Sequence, residues 1–346
     1  MDTENPEVSS KEMNVRIVLV VQSFGHEKEY LRAIFSVWSF YAHVSADFNQ
    51  SKTLLYTDNP DFFKGFFDDL NVEFVTLTPV RMKEMRGEKD FLHRMKISII
   101  EEVFRRAEGN VFYVDADSFF VDDPSGFFLK LNERVSFMHS DEYPFCELRE
   151  IPLPSGAPSH HVLKYLEEAE LIDAEGNTLK ISSSLFSWNA GALLLHAKHQ
   201  FLLPDVYAIT DQLYAATGNH ASEQYAFSII LQTKTQLLNC DAAVYHYWYR
   251  IKKRIMDDYL IIRINATWRA YSRAKKEAQV LKWTKMLPGY LKNHPLALRD
   301  RAIQSFNRNE FANGYFWAIK SLVKSPLHIS FIRDVAYHTR RLFWGK

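Results

Sequence analysis

Cysteine is almost missing from this chain. The 346 residues hold two, Cys146 and Cys240, far apart and outside any CxxC pair. That argues against a disulfide framework and against a structural zinc site. The expectation is two buried free thiols in a reducing compartment. Long apolar runs are missing too. The first, Val15 to Phe24, is interrupted by Arg16 and reaches about ten residues, half of the ~20 that cross a bilayer. Residues 1–14 are polar and acidic and lack the basic-then-apolar order of a secretory signal. No strict internal repeat is visible. Net charge is absent as well, since 42 Lys and Arg balance 42 Asp and Glu.

Hydrophobic residues, by contrast, make up 47% of the chain and aromatic residues 14%, enough for one large core and an appendage. The charged fraction of 24% argues against wholesale disorder. The charge balance conceals an uneven distribution. Residues 251–346 carry 20 Lys and Arg against 6 Asp and Glu, and the first 250 residues carry the compensating acidic excess. A basic segment of this kind suits an anionic surface. The expected location is cytoplasmic, with peripheral attachment to the inner face of a membrane.

Residues 15–22 (VRIVLVVQ) are β-branched at most positions and read as a strand buried on both faces. Helical spacing follows over residues 27–43. Further strands are expected at 53–57, 72–77 and 110–114, with a long helix over 90–107. This β-α-β-α alternation predicts a doubly wound α/β fold. Strands at 135–139, 192–195 and 242–247 and a helix over 223–231 complete it. From about residue 257 the pattern is helical, with breaks expected at Pro288, Pro295 and Pro326. Residues 302–326 are loosely similar to one helix-turn-helix unit of a tetratricopeptide array. The expected division is a flexible tail (1–14), a catalytic domain (15–250) and a basic helical region (251–346).

The chemical signal lies in VFYVDADSFFVDDP, residues 111–124. An apolar strand runs into Asp115 and Asp117, and alternate residues of a strand face one way. Two carboxylates aimed at one point repel unless a cation offsets them. A hard cation such as Mg²⁺ or Mn²⁺ suits oxygen ligands and leaves room for phosphates. Asp122 and Asp123 read as turn and cap residues. A bare DxD also fits a plain Asp-rich turn.

With these flanks the sequence resembles retaining glycosyltransferases of family 8 and their relatives with the GT-A fold. The resemblance spans roughly residues 15–250 and rests on motifs. It implies a mixed GT-A sheet with helices on both faces. It also implies a nucleotide-sugar donor, a UDP-sugar first among them, with Asp115 and Asp117 beside the metal and the diphosphate. A glycan or lipid-linked acceptor and retention of configuration follow from the same likeness.

Other positions add to this. On the 90–107 helix, Phe91, Met95, Ile99 and Val103 share an apolar arc that also contains His93 and Lys96, while Arg94 falls outside it. A lysine there needs a partner or must snorkel. The related enzymes use a basic residue on this helix against the nucleotide-sugar, which Lys96 or Arg94 matches. In residues 188–195 (WNAGALLL), Gly191 permits close backbone approach and Asn189 can read sugar hydroxyls. Glu223 and Gln224 lean inward from the start of a helix, with Ser222 as its expected N-cap. The resemblance places them near donor sugar or acceptor. It also implies that His246 is the third metal ligand. The Gly and Lys-Pro-Trp run usual after that His is replaced here by residues 249–254 (YRIKKR), where Arg250 or Lys252 could contact the diphosphate. Ser23, Phe24 and Asp58 sit at strand ends and are candidates for the nucleoside pocket by position alone.

Residues 315–346 interleave aromatic with basic side chains, a composition suited to anionic membrane lipid ahead of nucleic acid. Two rival functions remain open at this point. One is a phosphohydrolase of the haloacid dehalogenase type, whose DxD normally follows the first strand. The other is a non-catalytic membrane or adaptor protein.

Overall fold

The β-branched run at the start becomes strand β1 (Ile17–Ser23), and its neighbours follow in chain order in the computed structural model, which describes residues 16–48, 50–149 and 159–344. Helix α1 (Glu27–His43) crosses to β2 (Lys52–Thr57), and residues 58–71, with a single helical turn at Pro60–Phe63, lead to β3 (Val72–Thr76). Helices α2 (Pro79–Arg86) and α3 (Arg94–Arg106) return the chain to β4 (Asn110–Asp115). Short β5 (Ser118–Phe120) and α4 (Ser125–Lys130) lead to β6 (Val135–Met138) and β7 (Asp141–Pro144). Then come α5 (Ser159–Glu168), β8 (Leu171–Ile172), β9 (Thr178–Leu179), β10 (Phe186–Trp188) and β11 (Ala192–Leu195). Helices α6 (Leu203–Thr217) and α7 (Ser222–Lys234) precede β12 (Gln236–Asn239) and β13 (Val244–His246). The rest is helical: α8 (Arg250–Arg263), α9 (Ala266–Arg269), α10 (Arg273–Asn293), α11 (Pro295–Asn307), α12 (Phe311–Lys324) and α13 (Ile329–Trp344).

The main sheet has seven strands in the order β12-β6-β11-β4-β1-β2-β3. All of its neighbours run parallel except β11, which is antiparallel to both β4 and β6. The fold is therefore the expected mixed α/β sheet. Alternation along β1 divides the core. Ile17, Leu19 and Val21 pack under α1, α8 and α10 on one face. Val18 and Val20 pack under α3, α6 and α7 on the other. A strand buried on both sides needs side chains that fill both, which is why this one reads as a continuous apolar run.

Several expectations are corrected. The fold does not part at residue 250. Ile255, Met256, Val280, Leu287 and Leu291 of α8 and α10 lie in the same core as α1 and β1. Arg32 of α1 also grips Asp257 of α8 through two buried hydrogen bonds of 2.7 and 2.9 Å. A separate small core of Ala302, Phe306, Ala318 and Phe331 begins only with α11. Pro288 does not break its helix but sits inside α10. The one backbone bond lost there is outweighed by the fully buried Leu287 and Leu291 on either side. Pro295 starts α11, where its missing N–H goes unused. Cys146 is exposed, and only Cys240 is buried; both are free. The expected N-terminal tail, residues 1–14, lies outside the described residues. Among the described residues no helix is long and apolar enough to cross a membrane.

The helix-turn-helix expected near the C-terminus is present as α11 and α12. Asn309 adopts the left-handed conformation at the turn, with φ 62°. Gly314 lets α12 lie against α11, because a Cβ there would meet the Phe306 ring at 2.4 Å. Ala is normally the better helix former. Gly314→Ala should instead destabilise the α11–α13 unit by ~1–3 kcal/mol through overpacking. Hydrogen exchange should show amides of α11 and α12 opening faster, with those of β1 and β4 unchanged.

Candidate active site

The chain order of the sheet creates a crevice. From β1 the chain winds outward through β2 to β3, then returns to β4 on the other edge of β1. At such a switch point the crossovers leave to opposite sides, and ligands bind outside the carboxyl ends of the two strands. Gln22 of β1 and Asp115 of β4 are register partners at that edge.

Three electron-rich groups meet there. Strand β4 ends at Asp115, and a turn places Asp117 just beyond it. The chain continues as β5, which pairs antiparallel with β13 so that Ser118 faces His246. The Tyr247 amide donates to the Asp117 carbonyl at 3.0 Å and closes the ribbon. His246 Nε2 lies 3.3 Å from Asp117 Oδ1 and 3.9 Å from Asp115 Oδ2. One ligand atom from each of Asp115, Asp117 and His246 falls within 4.8 Å of the others. Two carboxylate oxygens and an imidazole nitrogen suit Mn²⁺ or Mg²⁺ with positions left for other oxygen ligands.

The hydrogen bonds show which nitrogen of His246 is available. Asn189 Oδ1 accepts from the Gly191 amide at 3.0 Å, and its Nδ2 donates to Glu142 Oε1 at 3.0 Å, which orients the amide. His246 Nδ1 lies 2.7 Å from the same Oδ1 and so must be the donor. The lone pair of a neutral ring then sits on Nε2, facing two carboxylates. That arrangement is repulsive unless a proton or a cation lies between them. Gly191 makes room for it, since a Cβ there would lie 2.1 Å from His246 Nδ1.

Two lysines flank the cluster. Lys96 of α3 is buried, with Nζ 2.8 Å from the Ala190 carbonyl, 3.4 Å from Asp115 Oδ2 and 3.3 Å from Glu223 Oε1. Burial opposes its charge, but Asp115 and Glu223 outweigh burial and hold its pKa above the usual lysine value. The approach to Glu223 lacks hydrogen-bond alignment, so Oε1 of that buried carboxyl has no hydrogen-bond partner. Burial pushes Glu223 up to about 7, with Lys96 pulling it down and Asp115 adding to the rise. Lys253 of α8 reaches Asp117 Oδ2 at 2.6 Å. Burial would raise Asp117, yet His246, when Nε2 carries a proton, and then Lys253 hold it well below the usual carboxylate range.

The residues expected from sequence fall into two groups. Asp115, Asp117, Asn189, Gly191, His246, Lys96 and Glu223 are joined by the contacts above. Gln224 belongs with them: its Nε2 donates to Glu142 Oε2 at 2.8 Å and to Ser187 Oγ at 3.0 Å. Ser222 is not the cap of α7; it lies within the helix, and its hydroxyl donates to the Asn219 carbonyl at 2.6 Å. Arg94 is engaged elsewhere, hydrogen-bonded to Asp211 at 2.8 and 3.2 Å and stacked on Tyr207. Asp58 accepts from Tyr30 Oη at 2.9 Å and from the Gly25 amide at 3.0 Å, ordering the loop after β1. Phe24 packs on the core beneath α3. Ser23 is buried, and its hydroxyl has no hydrogen-bond partner.

Sequence reading missed Gln22, Glu142 and Lys253. The amide oxygen of Gln22 is buried and unpartnered next to Asp115. Orphaned polar atoms at an open crevice are groups that await a partner. Lys252, expected at the diphosphate, stacks on Tyr245, Trp248 and Tyr249 instead. Its neighbour Lys253 points to the cluster because the first turn of α8 rotates each successive side chain by about 100°. Arg250 opens α8 and is exposed. For Glu142 the sequence carries no signal, since β7 is short and irregular.

No family model matches the chain, and no curated protein matches it. Among solved structures, the apo form of mouse xyloside xylosyltransferase 1 is similar over 65% of this chain and 85% of that one. The TM-score is 0.42 and the identity 11%.

Gly191→Ala should displace the His246 ring. Its Mn²⁺ affinity by calorimetric titration should fall at least about tenfold, the scale seen when a ligand's orientation is lost, with the circular dichroism spectrum unchanged. His139 offers a separate check on acid stability. It sits just beyond β6, with Nε2 3.0 Å from the Val244 carbonyl. Burial first, and His246 next, lower it from 6.5 to about 4. The folded state therefore holds it neutral, and its contribution is complete above pH 6.5 and lost as pH falls toward 4. That loss is on the order of 3 kcal/mol. Urea unfolding at pH 7 and pH 4.5 should show it, and His139→Gln should flatten the difference.

Proposed function

We propose that this chain is a metal-dependent glycosyltransferase of the GT-A type, akin to the retaining family 8 group. It would move a sugar from a nucleotide diphosphate donor, a UDP-sugar first among them, to a glycan or lipid-linked acceptor. The single observation that carries this reading is the meeting of Asp115, Asp117 and the Nε2 lone pair of His246 at the switch point of the sheet.

In this reading Asp115, Asp117 and His246 hold Mn²⁺ or Mg²⁺, which when bound supplies a Lewis acid for the diphosphate leaving group. Asn189, anchored by Glu142, keeps the His246 proton on Nδ1, so the ring faces the site as an acceptor. Lys253 and Lys96 bring positive charge to the two edges of an acidic pocket. Lys253, the more exposed of the two, is placed to exchange Asp117 for a donor phosphate. Asn189, Glu223 and Gln224 orient the sugar. Gln22 and Ser23 offer their unpartnered polar atoms to the nucleoside side of the crevice, beside Asp58 and Phe24. Most of the rate enhancement would come from positioning and fixed charge, as no nucleophile with its own general base is present in the cluster.

The purified chain, mixed with a panel of nucleotide-sugars, should release free sugar from one donor only when Mn²⁺ or Mg²⁺ is present. Asp115→Ala should reduce that rate by at least about hundredfold. The same donor should raise the melting temperature in the presence of the metal and leave it unchanged with a chelator. Release of phosphate from simple phosphoesters, with no nucleotide-sugar turned over, would replace this reading by a phosphohydrolase.

A further inference from the structure

The C-terminal helices carry a surface that the site does not use. On α12, Phe316, Ile319 and Val323 recur at three- and four-residue spacing on the outer face, with the inner face closed by Gly314, Ala318 and Ser321. Leu327 in the following turn and Ile329, Ile332 and Tyr337 of α13 are exposed as well. Exposure is high enough to matter: Ile319 is 62% exposed, Val323 79% and Leu327 92%. Isolated apolar residues on a surface need no explanation, but a connected stripe marks a surface that something covers.

The charges around the stripe indicate what covers it. Residues 311–344 hold five basic side chains, Lys320, Lys324, Arg333, Arg340 and Arg341, against one acidic, Asp334. Lys320 Nζ lies over the rings of Phe316 and Trp317, 4.2 and 5.3 Å from their centroids, so a positive charge sits directly against the edge of the apolar surface. A second copy docked face to face would set lysine against lysine. A nucleic acid would gain little from an aliphatic stripe, because its bases bind by stacking on rings. An apolar stripe edged with ammonium and guanidinium groups complements the acyl boundary and phosphate layer of an anionic bilayer.

We infer that the outer face of α12 and α13 is a docking surface for anionic membrane lipid, with Ile319, Val323 and Leu327 entering the acyl boundary and Lys320 and Lys324 meeting lipid phosphates. The test is co-sedimentation of the full chain with vesicles of 30% phosphatidylglycerol in phosphatidylcholine. Binding should weaken as salt rises, and pure phosphatidylcholine vesicles should bind far less. Lys320→Glu with Lys324→Glu should lower the partition coefficient by at least about thirtyfold, from ~1 kcal/mol for each lysine. Ile319→Ser with Val323→Ser should lower it by more than about tenfold without changing charge. Ile319, Val323 and Lys320 are exposed, whereas Lys324 Nζ also donates to the Asn293 carbonyl at 3.1 Å. The serine pair should therefore melt as the parent does, the glutamate pair should lose no more than about 1 kcal/mol, and metal titration should match the parent for both. The inference fails if the parent chain leaves the anionic vesicles in solution. It fails equally if the serine pair binds them as the parent does, which would reduce the surface to general polyanion attraction. A parent dimer that the serine pair converts to monomer would assign the face to a second copy and overturn it.

Discussion

Two carboxylates and the lone pair of an imidazole, held together at one edge of the sheet, set the terms for everything around them. Asp115, Asp117 and His246 repel one another in the absence of positive charge, and the surrounding structure is arranged to tolerate that. Lys96 and Lys253 approach from opposite helices and bind one carboxylate each. Asn189 Oδ1 accepts the hydrogen bond from His246 Nδ1 and so points the remaining lone pair at the acids. A site built this way suits a cation for the same reason that it is repulsive without one.

Outside the ligands, a polar network keeps this geometry from relaxing. Glu142 receives Asn189 and Gln224, and the Ala190 amide donates to Gln224 at 3.4 Å. Ser228 of α7 ties the Trp188 amide to the same helix at 2.9 Å. The loop before β11 is therefore fixed on both sides, with Gly191 at the one position where His246 leaves no space for a Cβ. Glu223 stands apart. It is buried near a lysine that it shares with Asp115, and its alignment with that lysine is poor.

Much of the fold was legible because it rests on local pattern. The run at Ile17–Ser23 and the spacing of α1 predict their elements almost to the residue. The aspartates after β4 predict a cation because strand alternation alone aims them together. Residues whose meaning lies in a partner were harder to read. Arg94 and Lys96 are two residues apart on one helix, yet one is spent on Asp211 and the other reaches Asp115. The run at 249–254 holds four basic residues, and only the rotation of α8 selects Lys253. Pro288 reads as a break, but the core on either side of it holds the helix together.

The order of the elements, the apolar faces that bury them and the paired acid at the end of one strand are all set by neighbouring residues along the chain. These follow from periods of two and 3.6 residues, which act over a few neighbours. Strand pairing placed the pair at the switch point of the sheet and brought His246, at the end of the last strand, beside it. It also decided that Glu142 orients that histidine through Asn189. Those outcomes depend on which strands pair and how helices cross, and such long-range choices leave no periodic trace in the residues they join.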